Sequence, residues 1–158
     1  KNAHLVSNLY SNLGGLYKKA GKRDLAQQAM EQGLRILEQY DLLYYHDSIA
    51  QTSNYAVLLT EMGQPERGLS ALKKLSRMIR DLSSDQTMDY ATVQEAIGGI
   101  CLATGDIRQA TTHFKKALAI YEAVYNGEPD MIETKKQEIR QAFYSFTYTI
   151  SSPISQSR

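Results

Sequence analysis

Apolar side chains recur along this chain at intervals of three and four residues, which is the spacing of one face of an amphipathic α-helix. The apolar stretches come in pairs, and one glycine separates the two members of each pair. These glycines are Gly21, Gly63 and Gly105, and they stand 42 residues apart. A glycine often follows the end of a helix because it accepts a positive φ. The pattern therefore predicts three helical hairpins in a repeating array, each with a tight turn at its glycine.

The apolar positions ahead of each glycine lie in register from one unit to the next. They are Leu9, Leu13, Leu16 and Tyr17 in the first unit, Tyr55, Leu58, Leu59 and Met62 in the second, and Ile97, Ile100 and Cys101 in the third. A small residue stands seven places before every turn glycine, as Gly14, Ala56 and Gly98. Glycine inside a helix costs roughly 0.5–1 kcal/mol relative to alanine. Small residues at this position in all three units therefore predict a close approach of the two helices in each hairpin.

Polar or helix-breaking stretches between the units predict the loops that return the chain for the next hairpin. The predicted repeats span about residues 5–46, 47–88 and 89–130. A further helix is predicted from about residue 131 to 147, and no turn glycine follows it. Because arrays need to close their open ends, we interpret this helix as a cap. The predicted fold is an all-α right-handed α-solenoid of three helical hairpins plus a C-terminal capping helix, in one domain of residues 1–150 with a flexible tail at 151–158.

Composition narrows the range of functions. The chain has 158 residues and a net charge of +1, from 18 Lys and Arg against 17 Asp and Glu. This balance gives no reason to expect nucleic acid or an anionic membrane as a partner. The single cysteine, Cys101, excludes an internal disulfide and favours a reducing, cytoplasmic location. It falls where the repeat demands a buried residue, so we expect packing rather than reactivity.

The sequence shows no constellation of catalytic or metal-binding residues. The three histidines, His4, His46 and His113, belong to separate elements and lack metal-ligand spacing. The paired glycines are not phosphate loops, because no strand and no GxxxxGK or GxGxxG pattern surrounds them. No apolar run approaches the ~18 residues of a membrane-spanning helix. We therefore expect no enzyme activity, no cofactor, no metal ion and no membrane insertion.

The repeated positions carry a family resemblance. In addition to the small residues and the turn glycines, they comprise apolar Leu13, Tyr55 and Ile97, bulky Tyr17, Leu59 and Cys101, then Ala26, Gly68 and Ala110, and then Met30, Leu72 and Phe114. This pattern resembles tetratricopeptide repeats, whose usual period is about 34 residues. The longer period of 42 residues, with its longer loops, resembles the repeats of kinesin light chains. Bacterial peptide-sensing regulators with similar repeats remain an alternative.

The resemblance implies where a ligand binds. In the family, the first helix of each hairpin lines a concave groove, through the residues nine and six places before the turn glycine. Those residues here are Asn12, Gly15, Asn54, Val57, Ala96 and Gly99. Asn12 and Asn54 match asparagines that hold the backbone of an extended peptide, a role that suits an amide because it both donates and accepts. The alternative is that both are polar helix residues facing water, and Ala96 interrupts the series in the third unit.

Further residues become groove candidates through the same resemblance. They are Asn8, Ser11, Lys18, Lys19, Ser53, Glu61, Thr92, Glu95 and Leu102. Lys18 and Lys19 give one end a positive bias that suits a mildly acidic peptide end, and Glu61 and Glu95 offset this bias further along. The alternative is that all four charges are ordinary solvated helix surface. Chaperone-binding members of the family clamp a C-terminal carboxylate with lysine, arginine and asparagine, and of that clamp only Asn54 is matched here.

These observations favour a non-catalytic binding module or scaffold that recognises an extended peptide or a partner segment in the concave groove. Its partner is then a protein or peptide segment. Two alternatives stay open. One is a structural spacer or self-association module of a larger protein, and the other is a peptide-sensing domain that controls an attached effector.

Overall fold

The computed structural model describes residues 2–43 and 46–151, with side chains up to residue 146, and these residues form helices and turns without any strand. The helices are α1 (Ala3–Lys19), α2 (Arg23–Gln39), α3 (His46–Glu61), α4 (Pro65–Leu82), α5 (Met88–Ala103), α6 (Ile107–Val124) and α7 (Pro129–Ser151). Helices α1 and α2, α3 and α4, and α5 and α6 pack as hairpins. Each hairpin also contacts the first helix of the next unit, so the units stack into a solenoid. The predicted all-α solenoid is confirmed.

All three predicted turns adopt one geometry. Gly21, Gly63 and Gly105 have φ values of +74°, +76° and +83°. In each turn, the N–H of the residue after the glycine donates to a carbonyl five residues earlier, which is the Schellman motif. These bonds are Lys22 N to Tyr17 O at 2.9 Å, Gln64 N to Leu59 O at 2.7 Å and Asp106 N to Cys101 O at 2.9 Å. The next helix then begins with Pro65 in unit two and with Asp106, whose carboxylate caps Gln109 N, in unit three.

The predicted close approach of the paired helices is confirmed in every unit. A Cβ added to Gly14 would lie 2.6 Å from Met30 Cγ, which is too short for two carbons. A Cβ on Gly98 would lie 3.0 Å from the Phe114 ring. Unit two reverses the arrangement, because its first helix has Ala56 and the glycine facing it is Gly68 on α4. In each case, a missing or minimal side chain makes room for the partner helix.

The core runs through the stack rather than lying within each hairpin. Seventeen buried side chains of units two and three, together with Ile139 of α7, form one cluster that includes Leu72, Ile97 and Tyr121. A smaller cluster of Ala26, Met30, Tyr55, Leu58 and Leu59 joins unit one to unit two. Cys101 is buried within the larger cluster, as expected from its place in the repeat.

A buried glutamine lies at each of the first two joints between units. Gln51 of α3 donates to Asn8 Oδ1 at 2.7 Å, and its Oε1 lies 2.8 Å from Ser7 Oγ on the same helix α1. Gln94 of α5 donates to Ser76 Oγ of α4 at 2.9 Å and accepts from His113 of α6 at 2.8 Å. A buried amide that lost such partners would be costly, so these bonds fix the register of one unit on the next.

Helix α7 packs on the third hairpin, where the Phe143 ring meets Phe114 edge-on at 5.5 Å. Its exposed surface carries an ion pair, in which Arg140 lies 2.8 Å from Glu133. Arg140 occupies the repeat position of Gly14, Ala56 and Gly98, so a large charged side chain stands where the other units have a small residue. The helix extends beyond both predicted ends, and it includes Ser151 of the predicted tail. Residues 152–158 of that tail lie outside the described residues.

The close approaches lead to a test by substitution. In Gly68→Ala, the new methyl would lie 2.9 Å from Ala56 Cα and 3.0 Å from its carbonyl oxygen, and backbone atoms cannot move aside cheaply. We expect the free energy of unfolding to fall by about 1–3 kcal/mol. The matched control is Gly99→Ala in α5, where nothing lies within 4 Å of the added methyl. It should gain roughly 0.5–1 kcal/mol from higher helix propensity. Urea unfolding followed by circular dichroism measures both, and equal effects would contradict the packing account.

Candidate binding groove

A cleft of about 670 Å³ opens on the side of the solenoid that the first helices line, and we call it the α1–α3 cleft. Its lining residues are Ser11, Asn12, Gly15, Leu16, Lys18 and Lys19 of α1, Met30 of α2 and Asn54 of α3. Six of these eight were groove candidates from the sequence. Leu16 and Met30 were not, because their positions in the repeat predict core packing.

The asparagine pair is the distinctive chemical feature of the cleft. Asn12 and Asn54 are both exposed, and neither amide has a hydrogen-bond partner among the residues that the structure describes. Asn8 differs, since its Oδ1 already accepts a hydrogen bond from Gln51. An amide offers two donors and an acceptor with two lone pairs, so the cleft presents two complete and unused sets of backbone-like groups.

Small and apolar residues occupy the other groove positions of the first helices. A Cβ added to Gly15 or to Gly99 would meet nothing within 4 Å, so each glycine leaves open space above its helix. Val57 is exposed, while Ser53 is partly buried, and neither belongs to the lining of the cleft. The surface beside the asparagines therefore offers apolar contact and room for side chains rather than further polar groups.

The charged candidates separate into two groups. Lys18 pairs with Glu61 at 2.9 Å, which links α1 to α3 at one end of the cleft, and Lys19 is exposed. Glu95 lies elsewhere, at the junction of α5, α6 and α7. It accepts a hydrogen bond from the Tyr121 hydroxyl at 2.7 Å and contacts Lys135 Nζ at 3.4 Å. Glu95 is thus engaged in holding α7 to the third hairpin.

The groups around Glu95 have shifted pKa values. Burial, and then the bond to Glu95, raises the pKa of the Tyr121 hydroxyl. Burial disfavours the charged form of Lys135, but its contacts with Glu138 and Glu95 outweigh that effect and raise the pKa of its ammonium group. Both raised pKa values mean that the junction favours the protonated forms, which are the neutral tyrosine and the charged lysine.

One sequence prediction about the groove is wrong. Leu102 was a candidate, but its side chain is buried in the core that joins units two and three. Thr92, also a candidate, donates its hydroxyl to Met88 O of its own helix at 2.9 Å. The third unit therefore contributes less to the groove than the candidate set implied.

A second cleft, of about 360 Å³, lies between α2 and α4 and was not anticipated from the sequence. Its polar end is a network in which Glu31 Oε1 accepts from the Tyr55 hydroxyl at 2.8 Å and from Arg67 at 3.0 Å. Burial, and then the bond to Glu31, raises the pKa of Tyr55 to about 12. Burial alone would raise the pKa of Glu31, but hydrogen bonds from Gln27, Tyr55 and Arg67 lower it overall.

The described residues contain no group of three or more His, Cys, Asp and Glu side chains that could hold a metal ion. His46 Nδ1 lies 2.9 Å from Asp89 Oδ1, so it joins the start of α3 to the start of α5. No helix within the described part is long and apolar enough to cross a bilayer.

A stack of helical hairpins with a 42-residue period and glycine turns defines a tetratricopeptide-type array. Two family models match the chain, and each describes the tetratricopeptide repeat, one over residues 48–123 and the other over residues 7–39. The chain belongs to the tetratricopeptide repeat family. Such repeats generally mediate protein–protein interactions, and proteins built from them are typically non-catalytic.

Comparison with individual proteins confirms the likeness to kinesin light chains. The Protein KINESIN LIGHT CHAIN-RELATED 3 of Arabidopsis thaliana is 26% identical over 120 residues, which are 75% of this chain and 18% of that protein. The chain thus spans less than a fifth of the length of this relative. The crystal structure of BtubC (BKLC) from P. vanneervenii has a TM-score of 0.66 at 20% identity, and the match covers 93% of this chain and 66% of that one. At this level of identity, the match establishes a shared fold alone.

The Tyr55 network predicts a dependence of stability on pH. Unfolded tyrosine loses its proton near pH 10, whereas folded Tyr55 keeps it until about pH 12. The folded state therefore binds more protons in this window, and its stability must fall as pH rises through it. We expect the free energy of unfolding to fall more steeply between pH 10 and 12 in the native chain than in Tyr55→Phe. Urea unfolding at several pH values measures this. The control Tyr40→Phe, at an exposed position, should follow the native curve, and a Tyr55→Phe curve parallel to both would refute the prediction.

Proposed function

We propose that this chain is a non-catalytic binding module that holds an extended peptide, or an extended segment of a partner protein, in the α1–α3 cleft. The observation that carries the proposal is the pair of exposed amides without partners, Asn12 and Asn54, which line one cleft from neighbouring first helices. An extended peptide has unpaired N–H and C=O groups on each side, and an asparagine side chain can satisfy one of each.

The spacing of the two amides suits an extended ligand. They occupy the same repeat position, so they project from equivalent points of α1 and α3. Packed helices have axes about 8–10 Å apart. An extended chain rises about 3.3 Å per residue. The two asparagines would therefore meet peptide units about three residues apart, and a ligand of five or six residues would span both.

Side-chain preference would come from the surroundings of the amides. Gly15 leaves room for a ligand side chain, and Leu16, which is 64% exposed, offers it an apolar wall. Lys19 is exposed, while Lys18 is already paired with Glu61. We therefore propose a ligand with an apolar side chain near Gly15 and an acidic group toward Lys19.

The other parts of this proposal rest on composition and family. The near-zero net charge favours a protein or peptide partner over nucleic acid or an anionic membrane. The single, buried cysteine suits a reducing cytoplasmic location. Catalysis is not proposed, since proteins of this family are typically binders.

A random-peptide display selection tests the proposal. The bait is the whole chain, and each enriched peptide is then measured against the double variant Asn12→Ala, Asn54→Ala. Losing two amide contacts should weaken binding about tenfold or more, since each bond contributes roughly 0.5–1.5 kcal/mol. The matched control is Gln28→Ala, Gln109→Ala, which removes two exposed amides from the second helices α2 and α6 and should bind as the native chain does.

Two outcomes would count against the proposal. Peptides that bind the asparagine double variant as tightly as the native chain would move the site away from the cleft. No enrichment at all, with folding verified by circular dichroism, would favour a spacer or self-association module instead.

A further inference from the structure

The first helix of the array leaves an apolar face uncovered. Four residues form what we call the α1 apolar face. They are Val6, Leu9, Leu13 and Leu16, and they are 38%, 58%, 38% and 64% exposed. Their spacing of three, four and three residues aligns them along one side of α1. Clustered exposure of this kind, unlike single exposed leucines, marks an interaction surface.

The repeat itself reveals what normally covers this face. The same four positions in α3 are Ser48, Gln51, Tyr55 and Leu58, and in α5 they are Tyr90, Val93, Ile97 and Ile100. All eight of these residues are buried. The second helix of the preceding hairpin packs on each of these first helices, α2 on α3 and α4 on α5. In α7, Ile139 stands at the position of Leu13 and is also buried, and the second helix that packs on α7 is α6.

The opposite side of α1 is already satisfied. Ser7 and Gly14 are buried against α2, Ser7 with its hydroxyl 3.0 Å from Gly33 O. The exposed face is therefore the one that points away from the hairpin of α1 itself. On α2, Leu25 is also exposed, and it stands at the repeat position of Arg67. In unit two, Arg67 reaches back to Glu31 of the preceding second helix.

We infer that the α1 apolar face is a docking surface for the second helix of one further hairpin of the same repeat type, packed on α1 as α2 packs on α3. This inference does not rest on the proposed peptide site, although Leu16 lines the α1–α3 cleft as well. The partner helix has an apolar stripe like that of α4, whose Leu72, Leu75 and Ile79 are buried against its neighbours.

A second copy of this chain cannot supply such a helix in its folded form. Its three second helices, α2, α4 and α6, are already packed on α3, α5 and α7. Its far end carries the ion pair of Glu133 and Arg140 on α7. The partner helix must therefore come from a hairpin outside the ones described here. The kinesin light chain-related relative has room for many more repeats, since this chain matches only 18% of its length.

An in-register duplication tests the inference. Residues 46–87, which contain α3 and α4, are joined directly to His4. This preserves the 42-residue period because His46 and His4 are equivalent. A Leu9→Cys substitution in the native chain and in the duplication reports on the face through its rate of thiol labelling, with buried Cys101 as the slow internal reference. We expect rapid labelling of position 9 in the native chain and labelling at least tenfold slower in the duplication. Gln28→Cys, exposed on α2, is the matched control and should label equally fast in both.

A second donor guards against a fusion that does not fold. Residues 88–129, which contain α5 and α6, joined to His4 offer α6 in place of α4 in the same register. Protection of position 9 in either folded fusion supports the inference. Protection in neither overturns it. Light scattering gives the size of the native chain in solution. A dimer in which position 9 is already protected from labelling would also overturn the inference, because the face would then be a contact between copies of this chain.

Discussion

The close approach of the two helices within each hairpin is the constraint on which the rest of this structure depends. It occurs seven residues, or about two helical turns, before each turn glycine, so the same face that approaches the partner helix also leads into the turn. Gly14 against Met30, Ala56 against Gly68 and Gly98 against Phe114 are three solutions to one requirement. In units one and three a glycine faces a large side chain, and in unit two an alanine faces a glycine. Because the hairpins are alike, their stacking repeats with one register.

The proposed binding surface follows from that register. Each first helix presents one side to its own hairpin, one to the preceding hairpin and one to solvent. Asn12 and Asn54 lie on the solvent side, and their side chains have no hydrogen-bond partner among the described residues. By contrast, the buried glutamines at the joints are fully committed to neighbouring helices. The fold thus separates amides that fix the stack from amides that remain available to a ligand.

The features that the sequence predicted correctly are those determined by local residue chemistry. Each turn requires a positive φ and so favours glycine, and each close helix approach requires a small residue before the turn. Both signals can be recognised in one unit and checked in the next. Asp106 and Pro65 likewise begin helices for reasons contained in their own side chains. A period shared by three units made these signals strong.

What the sequence did not predict depends on partners that are distant along the chain. Leu9 and Leu16 have the same spacing as buried core residues, but burial requires a preceding hairpin, so their exposure cannot be inferred from periodicity. Glu95 was a groove candidate, and its contact with Lys135 could not be foreseen because Lys135 lies 40 residues later. Leu102 was misassigned because one residue of helical phase separates the groove from the core. The network of Tyr55 with Glu31 and Arg67 joins three helices, and no local pattern marks it.

The most direct test of the account is a titration of the isotopically labelled chain with an enriched peptide, followed through the side-chain amide signals in ¹H–¹⁵N spectra. The account predicts that the Asn12 and Asn54 amide signals move together and saturate with one equivalent of peptide. The Asn126 signal, from an exposed residue between α6 and α7, should stay in place. Unmoved Asn12 and Asn54 signals, with shifts instead around the cleft between α2 and α4, would contradict the account.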